Sequence, residues 1–468
     1  MSVNAKDAPM KIEGKYLDRI GIPSVLKWGF LGLLIFQTGL GVESNFITPH
    51  MVEVLGSTEA SVSLIITSYS LAVLVASYLS GVLSDLMGPK KVMMIGFGIW
   101  AVFQVAFLLA LQTGSYGLVA AAYFLRGFGY PLFSFSFLVW VNITALKSMQ
   151  GTAVGWFYVM FTGGLPTLGS LVAIGAIPAF GGGVQGEYGA MWVASALAFI
   201  GFLMVMFGCH DEKGKRRIAP ESESTSTVLF SGIRLLFSNT KVMQGFLIRL
   251  INTAPQFGMF VIMPVVISDN LGWGQSRWLL MTVCIFAGNI LFNAFFGAVG
   301  DRIGWVNTVR WCGVFASAVG LLAWWYVPHW VPAGSTWGYI VSVIAGVTYG
   351  ICLAGFVPMG AIMPANAPEH RGAAMAMYTT AAGGAAFLGT AVVSIVLGVT
   401  GAMGWDVFAQ KSAVIWAFVA LYGCAFIMVG NLRTAQDDPA HRKAIRDADT
   451  QALAIQAANE RRVNIESK

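Results

Sequence analysis

Glu43, Arg126 and Arg249 are ionisable residues set within long apolar stretches of the chain. A charge in such surroundings costs several kcal/mol unless it is paired or faces water, so each is a candidate functional group. A carboxylate beside a guanidinium stays ionised while the two are paired, and it gains a proton when the pair separates or its surroundings dry. Glu43 and Arg126 can therefore act as a proton-coupling switch, or as a static ion pair tying two helices. Arg249, near the inner end of its stretch, can snorkel to the interface, form a gate or touch a ligand.

Uncharged polar residues extend the set. Arg249, Asn252, Thr253 and Gln256 recur at helical spacing on one face, and Asn289 and Asn293 stand four apart. Such a stripe can hold helices together. It also suits a neutral polyhydroxyl ligand, because each hydroxyl needs a donor and an acceptor. Tyr130, Trp156, Tyr158, Tyr349 and Tyr378 can pack against the carbon faces of that ligand or serve as ordinary packing residues.

The elements that carry these residues are membrane spans. Of 468 residues, 56% are hydrophobic and 11% charged, against roughly 25% charged in a soluble domain. Twelve runs reach the roughly 20 apolar residues needed to cross about 30 Å of hydrocarbon. They are 25–50, 60–86, 91–112, 116–142, 150–176, 189–209, 242–268, 275–300, 306–327, 338–363, 372–400 and 409–430. The runs are continuous rather than alternating, which predicts α-helices and not barrel strands. At a rise of about 1.5 Å per residue, Glu43 lies roughly 10 Å and Arg126 roughly 15 Å below the outer ends of the first and fourth spans, so the two can meet.

The polar segment 210–241, HDEKGKRR followed by ESESTST, separates a six-span half (25–209) from a second (242–430). A segment 1–24 precedes them and a tail, 431–468, follows. Lys90, Lys91, Lys147, Lys213, Lys215, Arg216, Arg217, Arg302, Arg310 and Arg371 fall on one side of this arrangement; Arg277 and Lys411 fall on the other. Short loops rich in Lys and Arg are retained in the cytoplasm, so both termini are expected inside. Residues 1–23 carry Lys6, Lys11, Lys15 and Arg19 without an apolar core or a small-residue cleavage site, so no secretory signal is expected. The tail, with DDPAHRKAIRDADTQ, mixes both signs and predicts a solvated cytoplasmic helix or disorder.

Several function classes are excluded. The five cysteines show no CxxC spacing, so neither a disulfide framework nor a metal site is expected. No Gly-x-Ser-x-Gly, HExxH, paired intramembrane aspartates or GxxxxGK[ST] occurs, which argues against an enzyme, a cofactor and an ATP-driven pump. The net charge of +6 belongs to basic residues flanking the spans. There it serves topology and anionic lipid, not nucleic acid.

A repeat identifies the architecture. Between spans 2 and 3 the chain reads Gly81-Val-Leu-Ser-Asp85-Leu-Met-Gly88-Pro-Lys90-Lys91, and between spans 8 and 9 it reads Gly297-Ala-Val-Gly-Asp301-Arg302-Ile-Gly304-Trp. Glycines let helix ends approach closely, an Asp can cap a neighbouring helix end, and the basic residues hold the loop on the cytoplasmic face. Two copies at equivalent places, with Arg126-Gly-Phe-Gly129 in span 4, resemble the signature of the major facilitator superfamily. That resemblance implies an all-α integral membrane fold of twelve transmembrane helices in two pseudo-symmetric six-helix bundles. It also implies spans 1, 4, 7 and 10 around a central cavity, and halves that rock about it with the two loops as conformational gates.

Further strings resemble the polyol permeases, bacterial proton symporters for ribitol and D-arabinitol. They are KWGF (27–30), LRGFGYPLF (125–133), IRLINT (248–253), VIMP (261–264), GWVNTVRW (304–311) and FVPMGAIMPANAPEHRGAA (356–374). This second resemblance implies a monomeric secondary transporter of the bacterial inner membrane that imports a small neutral polyol with protons. Glu43 and Arg126 would couple the proton, and Tyr130, Arg249, Asn252, Gln256, Asn289, Asn293 and Tyr378 would hold the cargo. One departure bears on stoichiometry or on the particular polyol: where the family has a further acidic residue, this chain reads Thr38-Gly39-Leu40-Gly41-Val42-Glu43. The alternative within the same fold is an organic anion, with Arg126 and Arg249 as its charge partners.

Overall fold

The computed structural model describes residues 16–466 apart from 45, 58, 222 and 223. Lys6, Lys11 and Lys15 of the N-terminal segment lie outside the described residues. Among the described residues, twelve helices are long and apolar enough to cross a membrane. They are α1 Ser24–Val42, α2 Leu64–Met87, α3 Pro89–Thr113, α4 Tyr116–Thr144, α5 Lys147–Ala179 and α6 Gly183–Gly208, then α7 Thr240–Ser268, α8 Leu280–Ile303, α9 Trp305–Trp330, α10 Thr336–Ala365, α11 Arg371–Ala402 and α12 Val407–Leu432. A polar helix, α13 (Pro439–Glu466), follows, so the described part of the tail that reads as helix or disorder is mainly helical.

The helix starts follow from local chemistry. Asn239 accepts from the amides of Lys241 and Val242 at the head of α7, Ser335 accepts from Gly338 at α10, and Asp406 accepts from Ala409 at α12. Gly88 at φ +84° and Gly304 at φ +109° turn the chain sharply before α3 and α9, a backbone region open to glycine. Pro89 then opens α3 at the position where a missing amide costs nothing.

Within the first half α1 packs on α6, and α4 packs on α2 and α3. Within the second, α7 packs on α11 and α12, and α10 packs on α8 and α9. The most extensive pairings between the halves are α2 with α11 and α5 with α8. They are equivalent under the internal repeat, because α2 and α8 precede the two copies of the loop.

Two of the spans are discontinuous. In α4 the helix Tyr116–Arg126 gives way to Gly129–Thr144, where Pro131 has no amide to offer the carbonyl of Gly127. In α10 the helix Thr336–Ala354 stops, and Met359–Ala365 resumes after Pro358. The first span also corrects a sequence expectation. A run over 25–50 reads as one span, yet α1 ends at Val42 and a separate helix, Ile47–Leu55, follows. The Ser44 hydroxyl donates to the Gly41 carbonyl at 2.7 Å and terminates the ladder. Glu43 therefore stands at the end of α1, not one-third of the way down a longer helix.

Candidate functional site

Glu43 and Arg126 meet at two helix ends. Glu43 follows the last turn of α1, and Arg126 is the last residue before the break in α4. The guanidinium engages the carboxylate with both terminal nitrogens: Nη1 donates to Oε2 at 2.9 Å, and Nη2 donates to Oε1. This two-point geometry is the strongest available to a carboxylate and an arginine. Arg126 Nη1 also donates to Gln104 Oε1 of α3 at 2.5 Å. The rings of Tyr123, Phe107 and Tyr69 stand 4.3, 5.0 and 5.5 Å from the guanidinium carbon. Arg126 is 1% exposed and Glu43 7%. A charge pair this dry depends on its mutual geometry, and removal of either partner leaves the other buried without compensation.

Asp85 and Asp301 each lie two residues before the C-terminal end of their helix and do equivalent things. Asp85 of α2 accepts from the amides of Gly372 and Ala373 at 2.9 Å each, which caps α11 in the other half. Asp301 of α8 accepts from Gly151 N at 3.0 Å, Thr152 N at 2.7 Å and Thr152 Oγ1 at 2.6 Å, which caps α5. It also accepts from Trp305 Nε1 at 2.7 Å. Each carboxylate thus meets the positive end of a helix dipole across the seam between the halves. A Cβ at Gly81 would overlap the Gly372 carbonyl, and one at Gly297 the Gly151 carbonyl, so both seams close with backbone against backbone. Lys90 Nζ donates to the carbonyls of Met206 and Cys209 at 2.8 and 2.7 Å, a cation at the C-terminal end of α6. Arg302 is exposed.

Arg249 of α7 differs from Arg126. Its guanidinium lies over the rings of Tyr378 at 4.8 Å and Phe356 at 5.2 Å, its Nε is buried with no hydrogen-bond partner, and it forms no ion pair among the described residues. The Tyr378 hydroxyl meets that of Tyr158 across the seam at 3.1 Å. The amides of the expected stripe are engaged within the bundle, two of them on neighbouring helices. Asn252 Nδ2 donates to the Gly313 carbonyl at 2.9 Å, Asn289 Nδ2 donates to the Gly350 carbonyl at 3.0 Å, and Asn293 Nδ2 donates to Asn289 Oδ1 at 3.4 Å. Gln256 and Tyr130 are half-buried, with the Tyr130 ring against Phe135. Trp156 donates to the Ile20 carbonyl at 2.8 Å, and Tyr349 stacks on Trp324, so both pack rather than face open space.

A family profile for the major facilitator superfamily matches residues 29–390. The chain belongs to the major facilitator superfamily. It is 36% identical to the alpha-ketoglutarate permease of Bacillus subtilis over 88% of this chain and 89% of that one. It is 32% identical to the D-arabinitol transporter of Klebsiella pneumoniae over 91% and 96% of the two chains. It is also 32% identical to the ribitol transporter of the same organism, over 89% and 93%. The resemblance to polyol permeases therefore holds along nearly the whole chain. A solved proton:xylose symporter superposes with a TM-score of 0.66 at 15% identity, covering 90% of this chain and 98% of its own, which is a likeness of fold.

As a major facilitator protein the chain is a multi-pass transporter and not an enzyme. Sequence reasoning missed Gln104, a buried glutamine in the middle of α3, and the aromatic cage of Tyr69, Phe107 and Tyr123. It also missed Gln37 of α1, which donates to Ser134 Oγ of α4 at 3.0 Å, and the contact of His50 Nδ1 with Glu187 Oε2 at 2.7 Å. A polar residue inside an apolar span was the signal for the two glutamines. The ring positions carry no signal, because aromatic residues fill every span.

Proposed function

We propose that this transporter imports a sugar alcohol of the ribitol or D-arabinitol class together with protons, by alternating access, with both termini in the cytoplasm. The observation that carries the reading is the dry, two-point Glu43–Arg126 pair at the ends of α1 and of the first half of α4. When Glu43 takes a proton, the ion pair becomes a neutral acid beside a cation. Arg126 keeps Gln104 Oε1 and its three rings, so the guanidinium stays where it is while the end of α1 is released to move. Under the proposed orientation the two Asp caps close the cytoplasmic side, so the pair takes its proton from outside. Cargo class is supported by the two full-length polyol relatives and by the string Ile248–Thr253, which carries Arg249. The five donors of its guanidinium suit adjacent hydroxyls.

The experiment is accumulation of radiolabelled ribitol and D-arabinitol in cells lacking other polyol uptake, with and without a protonophore. Accumulation that the protonophore collapses is expected. Uptake of neither polyol would overturn the cargo, and accumulation indifferent to the protonophore would overturn the coupling.

Arg249 favours a second reading, a small organic anion, because it lacks a carboxylate partner among the described residues and because one relative is named an alpha-ketoglutarate permease. The conservative variant Arg249→Lys separates the two. It keeps the charge and loses the planar fork. For a polyol held by paired hydroxyl contacts, the apparent KM should rise by about tenfold or more, as for loss of a hydrogen bond to a charged group. For an organic anion held by charge, Arg249→Lys should retain most transport and Arg249→Gln should lose it.

A further inference from the structure

At the end of the molecule that carries the two repeated loops lies a cavity of about 490 Å³ that none of the transport steps above uses. Its walls come from three parts of the chain. Lys147 belongs to the first half, Lys241 and Arg371 to the second, and Arg433 and His441 to the segment after α12. Among the described residues no carboxylate lines it. Four fixed cations face one space, and none of them has an ion-pair partner among the described residues. The nearby acids are engaged elsewhere. Asp437 accepts from the amides of Val306 and Thr434, and Asp449 accepts from the amide of Ser148.

Two residues of the lining, Asn142 and Gln436, add a second chemistry beside the charge. Asn142 Oδ1 and Gln436 Oε1 are buried and have no donor, while their amide nitrogens are committed to the carbonyls of Leu138 and Lys147. A buried acceptor without a donor costs about 1–3 kcal/mol, which a hydroxyl in the cavity would relieve once the amide turns its oxygen toward it. Concentrated positive charge beside two idle acceptors fits an anion that also carries hydroxyl groups.

We propose that this cavity binds a phosphate ester of a hydroxylated molecule, with the phosphate among Lys147, Lys241, Arg371 and Arg433 and its hydroxyls on Asn142 and Gln436. The chemistry is shared by a phosphorylated small polyol and by the glycerophosphate headgroup of an anionic lipid. The occupant bridges the halves, since Lys147 moves with α5 and Arg371 with α11. It therefore holds the loop end closed and slows transport. A phosphorylated product of the proposed cargo would act here as a brake, and that physiological role rests on the polyol reading; the site itself does not.

The test uses the full-length protein in nanodiscs and needs no cargo. In discs of phosphatidylcholine, glycerol 3-phosphate should raise Tm in a saturable way, and glycerol should not. Lys147→Gln/Arg433→Gln, two exposed positions, should weaken that response by at least about tenfold. Lys91→Gln, an exposed cation outside the cavity, should leave it unchanged. Gly81→Val, which keeps α2 and α11 apart, should weaken it by about fivefold or more, because the cavity needs both halves.

Discs containing phosphatidylglycerol distinguish the sources. A Tm rise from that lipid that the double variant loses, with no response to glycerol 3-phosphate, assigns the site to the headgroup. No response to either, or an equal response in the double variant, overturns the site. An unchanged response in Gly81→Val overturns the bridging. Failure of polyol uptake touches none of these readouts.

Discussion

Glu43→Gln should abolish concentrative uptake and strip much of the stability from the first half. The substitution leaves Arg126, 1% exposed, with Gln104 Oε1 and three rings but no counter-charge. Breaking a buried pair by removing one partner costs about 3–5 kcal/mol, out of a total that is commonly only about 5–15 kcal/mol. A lowered Tm in detergent and loss of accumulation are the expected results, and by themselves they do not separate coupling from folding. Glu43→Gln/Arg126→Gln does. With both charges gone the site is neutral, so Tm should recover most of the way, while accumulation above the external concentration should remain absent. A double variant that accumulates like the wild type would make the pair a static tie between α1 and α4 and remove it from the coupling mechanism.

Gly81→Val and Gly297→Val should each cut transport strongly, and by the same physical route. A side chain at Gly81 meets the carbonyl of Gly372, and one at Gly297 meets the carbonyl of Gly151; neither neighbour is a flexible side-chain end that can swing aside. The seam must open to admit the extra atoms, which also draws Asp85 and Asp301 away from the amides they cap. Overpacking of this kind costs about 1–3 kcal/mol, and charged against the closed state alone it shifts that population by about 5- to 150-fold. Accessibility of a cysteine introduced at Ala376, buried in the α2–α11 seam, should rise from near zero in the Gly81 variant. Transport at the wild-type rate, with position 376 still protected, would show that the closed seam is not part of the cycle.

The meeting of Glu43 with Arg126 was legible from a depth count along two helices, although that count rested on a first span that runs too long. The error did not matter, because both residues still fall at a similar level. Their supporting cast was not legible. Gln104 and the rings of Tyr69, Phe107 and Tyr123 come from three different helices; polarity inside an apolar span singles out Gln104, but nothing in the local sequence marks the rings or the turn that faces the guanidinium. The amides of α7 and α8 show the complementary limit. Asn252 and Asn289 have a spacing equally suited to a ligand and to a neighbouring helix, and the carbonyls of Gly313 and Gly350 that decide the matter lie 61 residues away in each case.

Composition and pattern alone determined the solvent, the number of spans, the division into halves and the repeated loop. Each of these depends on properties that a residue carries wherever it sits: apolarity over about 20 positions, a helix-breaking polar segment, and a Gly-x-x-x-Asp run that recurs. Only the tertiary structure decided that Asp85 caps α11 and Asp301 caps α5, that Arg126 is neutralised while Arg249 is not, and that four distant cations enclose one cavity. Those outcomes depend on which helix ends the two halves bring within hydrogen-bond reach, and in a bundle of near-uniform apolar helices that choice is made by packing between residues hundreds of positions apart.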